Sequence, residues 1–153
     1  MTPTPGPLRG CTNFKLRQLL RRVARLYDQE MAAVGLKTTQ YSLLSHVVKL
    51  GPIGAGDLAR EMGMEASTLT RNLQPLLSQG LLQMTRGADA RRRQLEATPA
   101  GASRRQEAQR HWKKAQLKLN ERLGREQVAA LHALIDHGLS RLADAGSPAG
   151  EGE

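Results

Sequence analysis

Six polar side chains, Asn72 among them, recur along the stretch STLTRNLQPLL, Ser67 to Leu77. Their spacing suits chemistry on an extended hydrogen-bonding surface. Projected as a helix at about 100° per residue, Leu69, Leu73, Leu76 and Leu77 gather on one side. Ser67, Arg71, Gln74 and Ser78 point the opposite way, and Thr68 and Thr70 flank them. Hydroxyls, an amide and a guanidinium match what the major groove of duplex DNA displays: Arg suits guanine, Gln suits adenine, and a Thr methyl suits thymine. A solvated polar face would have the same composition. Pro75 stands inside the run, where proline costs a helix interior about 3 kcal/mol. It falls on the outward side, one turn after Arg71, so water can satisfy the carbonyl it strands. A bend there would turn the C-terminal half toward the core.

A second cluster follows Gly80. LLQMTR and RRRQLEA read as two short strands around GADA, a hairpin signal. The hairpin carries Arg86, Arg91, Arg92 and Arg93 beside a small tip of Gly87, Ala88 and Ala90. Such a tip can approach a phosphate backbone or enter a minor groove, where arginine is favoured. Asp89 would organise the four arginines. Charges of this kind also blunt a sheet edge.

These side chains need elements to hold them. DLAREMGMEASTLTRNL, Asp57 to Leu73, has helix-turn-helix spacing. Leu58, Leu69 and Leu73 pack the pair, Ala59 is small where the second helix crosses, and Gly63 allows the sharp turn. A basic hairpin directly after such a pair makes a winged helix. Upstream, a first helix is expected from Thr12 to Ala33, with the stripe Leu16, Leu19, Leu20, Val23, Leu26, Tyr27 and Met31, and with Arg17, Arg21, Arg22 and Arg25 outside it. Gly35 ends it. The next helix takes Thr38 as N-cap and stops at Gly51-Pro52. Downstream, Thr98 is an N-cap before Pro99 for a long helix to about Leu123, roughly 35–40 Å at 1.5 Å per residue. Its stripe is thin: Ala108, Trp112, Ala115, Leu119 and Leu123. Gly124 breaks it, and a last helix runs from Glu126 to Ala145 with Val128, Leu131, Leu134, Ile135, Leu139 and Leu142.

One chain would leave the terminal stripes poorly covered, which implies a homodimer built from both termini; an intrachain bundle would also cover them. Residues 1–10 and 146–153, rich in Pro, Gly and other small residues, are expected to be disordered. The 153 residues fit one domain. Lys and Arg exceed Asp and Glu by 23 to 14, a formal charge of +9, which suits a polyanionic partner or an anionic membrane surface. Aromatics are 3%, so the core must be aliphatic. The lone cysteine, Cys11, cannot staple the fold, and MTPTPGPLRG lacks an apolar signal region. No apolar run is long enough to span a bilayer. A cytoplasmic protein without membrane attachment is expected. His46, His111, His132 and His137 form no metal-ligand spacing, and no nucleophilic triad or glycine-rich phosphate loop stands out. Neither enzyme activity, cofactor nor metal is expected.

Over residues 11 to 145 the chain resembles the MarR family of winged-helix regulators. The resemblance is carried by GLKTTQYSLL, LAREMGMEASTLTRNLQPLLSQGLL and DARRRQLEATPAG. The family's Asp-x-Arg falls on Asp89 and Arg91, and its Leu-Thr-x-x-Gly on Ala97, Thr98 and Gly101. Ala97 departs from the usual leucine, and Glu65 and Ala66 stand where Asp and a basic residue are common. The resemblance implies a mainly α fold with a small β-wing: residues 37–98 form the DNA-binding winged helix-turn-helix, and 11–36 with 99–145 the dimerisation helices. It implies a homodimeric repressor or activator on a pseudo-palindromic DNA operator. Ser67, Thr68, Thr70, Arg71 and Gln74 would enter the major groove, and Arg91 the minor groove. It further implies a small aromatic or lipophilic acid as effector, for which Tyr27, Tyr41, His46 and Trp112 are candidate lining residues. Some members sense peroxide through a cysteine near Cys11, though placed differently relative to the residue matching Phe14. A protein of this fold with weakened DNA contacts, acting on ligands or as an adaptor, is the remaining alternative.

Overall fold

The computed structural model of the chain describes residues 6–87 and 92–143. Along it run α1 (Thr12–Met31), α2 (Thr38–Leu50), β1 (Ile53–Gly54), α3 (Ala55–Met62), α4 (Ala66–Ser78), β2 (Leu82–Arg86), β3 (Arg93–Ala97), α5 (Pro99–Leu123) and α6 (Arg125–Leu142). A 3-10 turn, Ala32–Val34, extends α1, and Gly35 closes it with φ of 68°. The chain groups into two compact units, Met1–Ala115 and Gln116–Glu153. Residues 1–5, the wing tip from Ala88 to Arg91, the expected helix end at Ala145 and the tail 146–153 lie outside the described residues.

The core of the first unit is aliphatic, as the scarcity of aromatics requires. Met31, Leu43, Leu44, Leu58, Leu69, Leu76 and Leu95 are fully buried. They come from α1, α2, α3, α4 and the sheet, so one core ties the helix pair to the wing. The sheet has three antiparallel strands in the order β1-β3-β2. Leu95 of β3 faces Ile53 on one side and Met84 on the other. At two residues, β1 is too short to show a period and is absent from the sequence reading.

Thr38 is not the N-cap of α2. It is the first helical residue, and its N–H and hydroxyl both donate to Asp28 Oδ1 of α1, at 2.8 and 2.7 Å. Lys37 N–H donates to Gln40 Oε1 at 2.9 Å. A carboxylate ten residues upstream thus takes the place of a local cap and adds a charge favourable at a helix N-terminus.

The start of α5 follows the sequence reading. Thr98 Oγ accepts from Gly101 N–H at 3.0 Å, the N-cap bond, and donates to Gly80 O at 2.6 Å. Thr98 N–H donates to Leu81 O at 3.1 Å. One residue therefore ties the α4–β2 turn to the first turn of α5. Gly101 is buried against the same backbone: a Cβ there would overlap the Leu81 carbonyl oxygen and lie 2.9 Å from its carbon. Gly101→Ala must push α5 off the wing, with a loss of about 3 kcal/mol in unfolding free energy, at the upper end for overpacking. Urea denaturation of the variant beside the parent measures it, and an unchanged midpoint would refute the close approach.

The α1 stripe is buried at one end only. Leu26, Tyr27 and Met31 are in the core, whereas Leu16 and Leu20 are 54% and 67% exposed. In the second unit, α6 buries Val128 and leaves Leu134 70% and Leu139 67% exposed, with Ile135 and Leu142 also exposed.

Candidate nucleic-acid interface

The helix pair α3–α4 positions the candidate readers. Leu58 and Ala59 of α3 and Leu69, Leu73 and Leu76 of α4 are buried together. Between the helices Gly63 takes φ of 60°, its N–H donates to Arg60 O at 3.2 Å, and Met64 N–H donates to Ala59 O at 2.9 Å. That left-handed position is one a side chain disfavours, which is why glycine makes this turn. With the leucines fixed inward, the rest of α4 is forced outward: Ser67, Thr68, Thr70, Arg71 and Gln74 are all exposed.

The N-terminus of α4 is open. Glu65 is the N-cap but makes no side-chain capping bond. The first-turn N–H groups thus keep a partial positive charge facing outward, which suits an anion. Thr70 Oγ1 donates to Ala66 O at 2.9 Å. Pro75 is half-buried and α4 continues through it to Ser78, with Ser78 Oγ and Gln79 N–H both donating to Pro75 O at 3.1 Å. The helix therefore passes the proline and closes by bonds to the proline's own carbonyl.

In the wing, Arg86 pairs in register with Arg93, and Gly87 N–H donates to Arg92 O at 3.1 Å to close the described end of the hairpin. Arg86, Arg92 and Arg93 are all exposed. Like charges directly across a ladder are destabilising, so an anion against this end relieves a repulsion the hairpin otherwise carries. Arg91, nominated for the minor groove, and Asp89 lie outside the described residues.

Three of the four candidate ligand-lining residues come together. Tyr41, His46 and Trp112 line a cleft of about 390 Å³ with Thr38, Ser42, Ser45, Arg105 and Gln109. Tyr27 does not line it. Its ring is buried against Trp112, centroids 6.5 Å apart and planes at 51°, and burial raises its phenol above the ordinary value. Tyr27 thus backs the indole that the cleft presents. His46 Nδ1 lies 2.7 Å from Ser42 O. That contact requires a proton on Nδ1 and leaves Nε2 of the neutral ring as an acceptor. Arg105 donates to Ser45 Oγ at 3.5 Å and Gln109 Oε1 at 3.3 Å, and among the described residues no carboxylate pairs with it. Sequence reading missed Arg105 and Gln109, although Arg105, Gln109 and Trp112 share the i, i+4, i+7 spacing of one helical face. Cys11 is an exposed free thiol at the N-cap of α1.

A paired α3–α4, an outward polar helix face and a basic β-hairpin define a winged helix-turn-helix protein. A model described as MarR family matches residues 34–93, from the end of the 3-10 turn to the start of β3. The transcriptional regulator MosR of M. tuberculosis, solved in complex with DNA, is 30% identical to this chain, covering 84% of it and 98% of MosR with a TM-score of 0.68. The chain belongs to the MarR family. A mutant MarR of E. coli complexed with operator DNA shares the fold, with a TM-score of 0.75 at 19% identity, covering 83% of this chain and 92% of that one. YwoH of Bacillus subtilis, described as an uncharacterized HTH-type transcriptional regulator, is 27% identical over 77 residues. The chain spans only 56% of that protein's length in the match. Among the described residues no helix is long and apolar enough to cross a membrane.

Proposed function

We propose that this chain is a homodimeric, sequence-specific DNA-binding transcriptional regulator, released from its operator by a small aromatic acid. The observation that carries the reading is the exposed face of α4, where Ser67, Thr68, Thr70, Arg71 and Gln74 stand opposite Leu69, Leu73 and Leu76. This face enters the major groove with its uncapped N-terminus toward the phosphates. Arg86, Arg92 and Arg93, with Arg91, lie along the backbone or in the adjacent minor groove. Two copies joined through the apolar stripes of α1 and α6 place their reading helices about one helical turn of DNA apart, roughly 34 Å, on a pseudo-palindromic operator. The DNA complex of MosR, a relative covered almost end to end, supports this reading.

Selection of duplex fragments from a random pool tests it, followed by a salt titration on the winning sequence. Affinity should fall with salt at a slope of about −0.9 per neutralised phosphate. Replacing Arg86, Arg92 and Arg93 together by alanine should make that slope shallower by about 0.9 for each arginine that meets a phosphate, while the preferred sequence stays the same. A wild-type protein that retains no duplex at low ionic strength would overturn the reading.

The cleft supports the effector half of the proposal. Arg105 offers a carboxylate two parallel donors, Trp112 and Tyr41 offer ring surfaces, and His46 Nε2 accepts from a ring hydroxyl. Arg105→Ala should weaken binding of benzoate or hydroxybenzoate by about tenfold or more, the value of a hydrogen bond to a charged group, with operator affinity unchanged. Calorimetric titration measures it, and equal affinity in the variant would remove Arg105 from the role. The thiol alternative has a narrow chemistry: with one cysteine in the chain, any disulfide of Cys11 must be intermolecular or mixed.

A further inference from the structure

We infer that Ala66 and Thr70 together form a methyl-reading patch that selects a thymine in each half-site. The inference rests on the duplex-reading role of α4 and adds the base it prefers there.

Thr70 is an exposed residue whose polar group is already committed. Its hydroxyl donates to Ala66 O, one turn back along α4, at 2.9 Å. A hydroxyl carries one proton, so Thr70 has no donor left for guanine N7 or O6 or for thymine O4. Its oxygen is held toward the preceding turn of backbone. Threonine in a helix has two usable side-chain wells, and the bond to the i−4 carbonyl selects between them. The branched methyl is thereby fixed in place, and the oxygen keeps only its acceptor lone pairs.

The second half of the patch is Ala66, also exposed and four positions earlier. Residues at i and i+4 stack on one side of a helix, with Cβ atoms about 5–6 Å apart. The Ala66 and Thr70 methyls therefore make a small apolar notch at the edge of the polar face, with Ser67 and Gln74 on one side and the leucine side of the helix on the other. In the major groove only thymine presents a methyl, on C5, and alanine and threonine methyls are the groups that pack against it. Cytosine has no C5 methyl and would leave the notch empty, and adenine would bring a polar amino group against two methyls, with only the Thr70 oxygen, held toward the preceding turn, as an acceptor. Gln74, four positions after Thr70, is placed to read the adjoining base by its amide.

Replacing single thymines of the selected operator by deoxyuridine removes that methyl and nothing else. At one position per half-site the wild-type protein should lose about fourfold in affinity, the scale of one buried carbon, and about fifteenfold when both half-sites are changed. Thr70→Val keeps the branched methyl and should preserve both the affinity and the deoxyuridine effect. Thr70→Ser keeps the hydroxyl and should lose affinity on the thymine operator toward the level of the deoxyuridine one, with only the smaller share contributed by Ala66 lost further when both are combined. If the valine variant fails while the serine variant binds normally, the hydroxyl is the reader and the inference is overturned. It is equally overturned if no deoxyuridine position matters while the protein still binds its operator tightly. Failure of the wild-type protein to select any duplex is a different result, which removes the regulatory reading itself.

Discussion

Arg71→Ala is expected to erase most of the protein's preference for its operator while leaving the fold intact. Arg71 sits at the middle of the exposed arc of α4, and it is bound by no carboxylate among the described residues. Truncating an exposed, unpaired side chain changes stability by about 0.5 kcal/mol or less. A bidentate arginine–guanine pair discriminates against a wrong base by about 1–3 kcal/mol, and the proposed dimer would use the pair twice. Binding to the selected duplex should therefore fall by about two orders of magnitude or more, while binding to a scrambled duplex falls only slightly. Arg71→Lys separates fork from charge. Lysine keeps the positive charge but not the planar pair of donors, so it should restore the salt dependence without restoring the sequence preference. Equilibrium titrations of both duplexes at several salt concentrations measure all of this. Equal losses on the two duplexes would reassign Arg71 to the phosphate backbone.

The helix-turn-helix was legible because its determinants are local. Leu58, Ala59, Gly63, Leu69 and Leu73 lie within a short run, and each does in the structure what its type demands: small at the crossing, glycine at a positive φ, leucine inward. The Thr98 cap was legible for the same reason, since Thr98 and Gly101 are three apart. What failed was long-range. Nothing near Thr38 announces that Asp28 of another helix will hold the start of α2. β1 exists only because Ile53 and Gly54 meet Leu95 and Gln94, residues some forty positions away. The cleft was half legible. Aromatic side chains in an aromatic-poor chain drew attention to Tyr41 and Trp112, but the same rule nominated Tyr27, whose ring turns inward behind Trp112. Arg105 passed unnoticed among the many arginines of a basic chain, because its importance lies in the absence of a carboxylate partner, and pairing is a property of three dimensions. Pro75 shows the opposite limit. Its cost was readable, yet the helix runs on through Ser78, with Leu73 and Leu76 on either side of the proline both buried in the core.

The largest loss is expected from a change remote from any base. Glutamates placed at both Leu134 and Leu139 should convert the proposed dimer to a monomer and lower operator affinity by a factor of about 10² to 10⁴, the range by which linked sites exceed single ones. On α6, Leu131, Leu134, Ile135, Leu139 and Leu142 recur at intervals of three, four and one, which gathers them on one side of the helix. Contiguous apolar side chains at 70% and 67% exposure are not a stable end state in water, since covering each is worth about 1.5–3 kcal/mol. A second copy is the partner most economically supplied, and the half-naked stripe of α1 asks for the same cover. Two buried carboxylates in an apolar seam have no cation to meet, and their desolvation and mutual repulsion oppose association. Each monomer keeps its own core, because Leu134 and Leu139 contribute nothing to the buried set. The variant should therefore stay helical, sediment as one subunit at micromolar concentration, and bind a single half-site as weakly as the wild-type protein does. A variant that remains dimeric would show that the two copies join elsewhere than at the α6 stripe, and a wild-type protein that itself sediments as one subunit would remove the twofold operator.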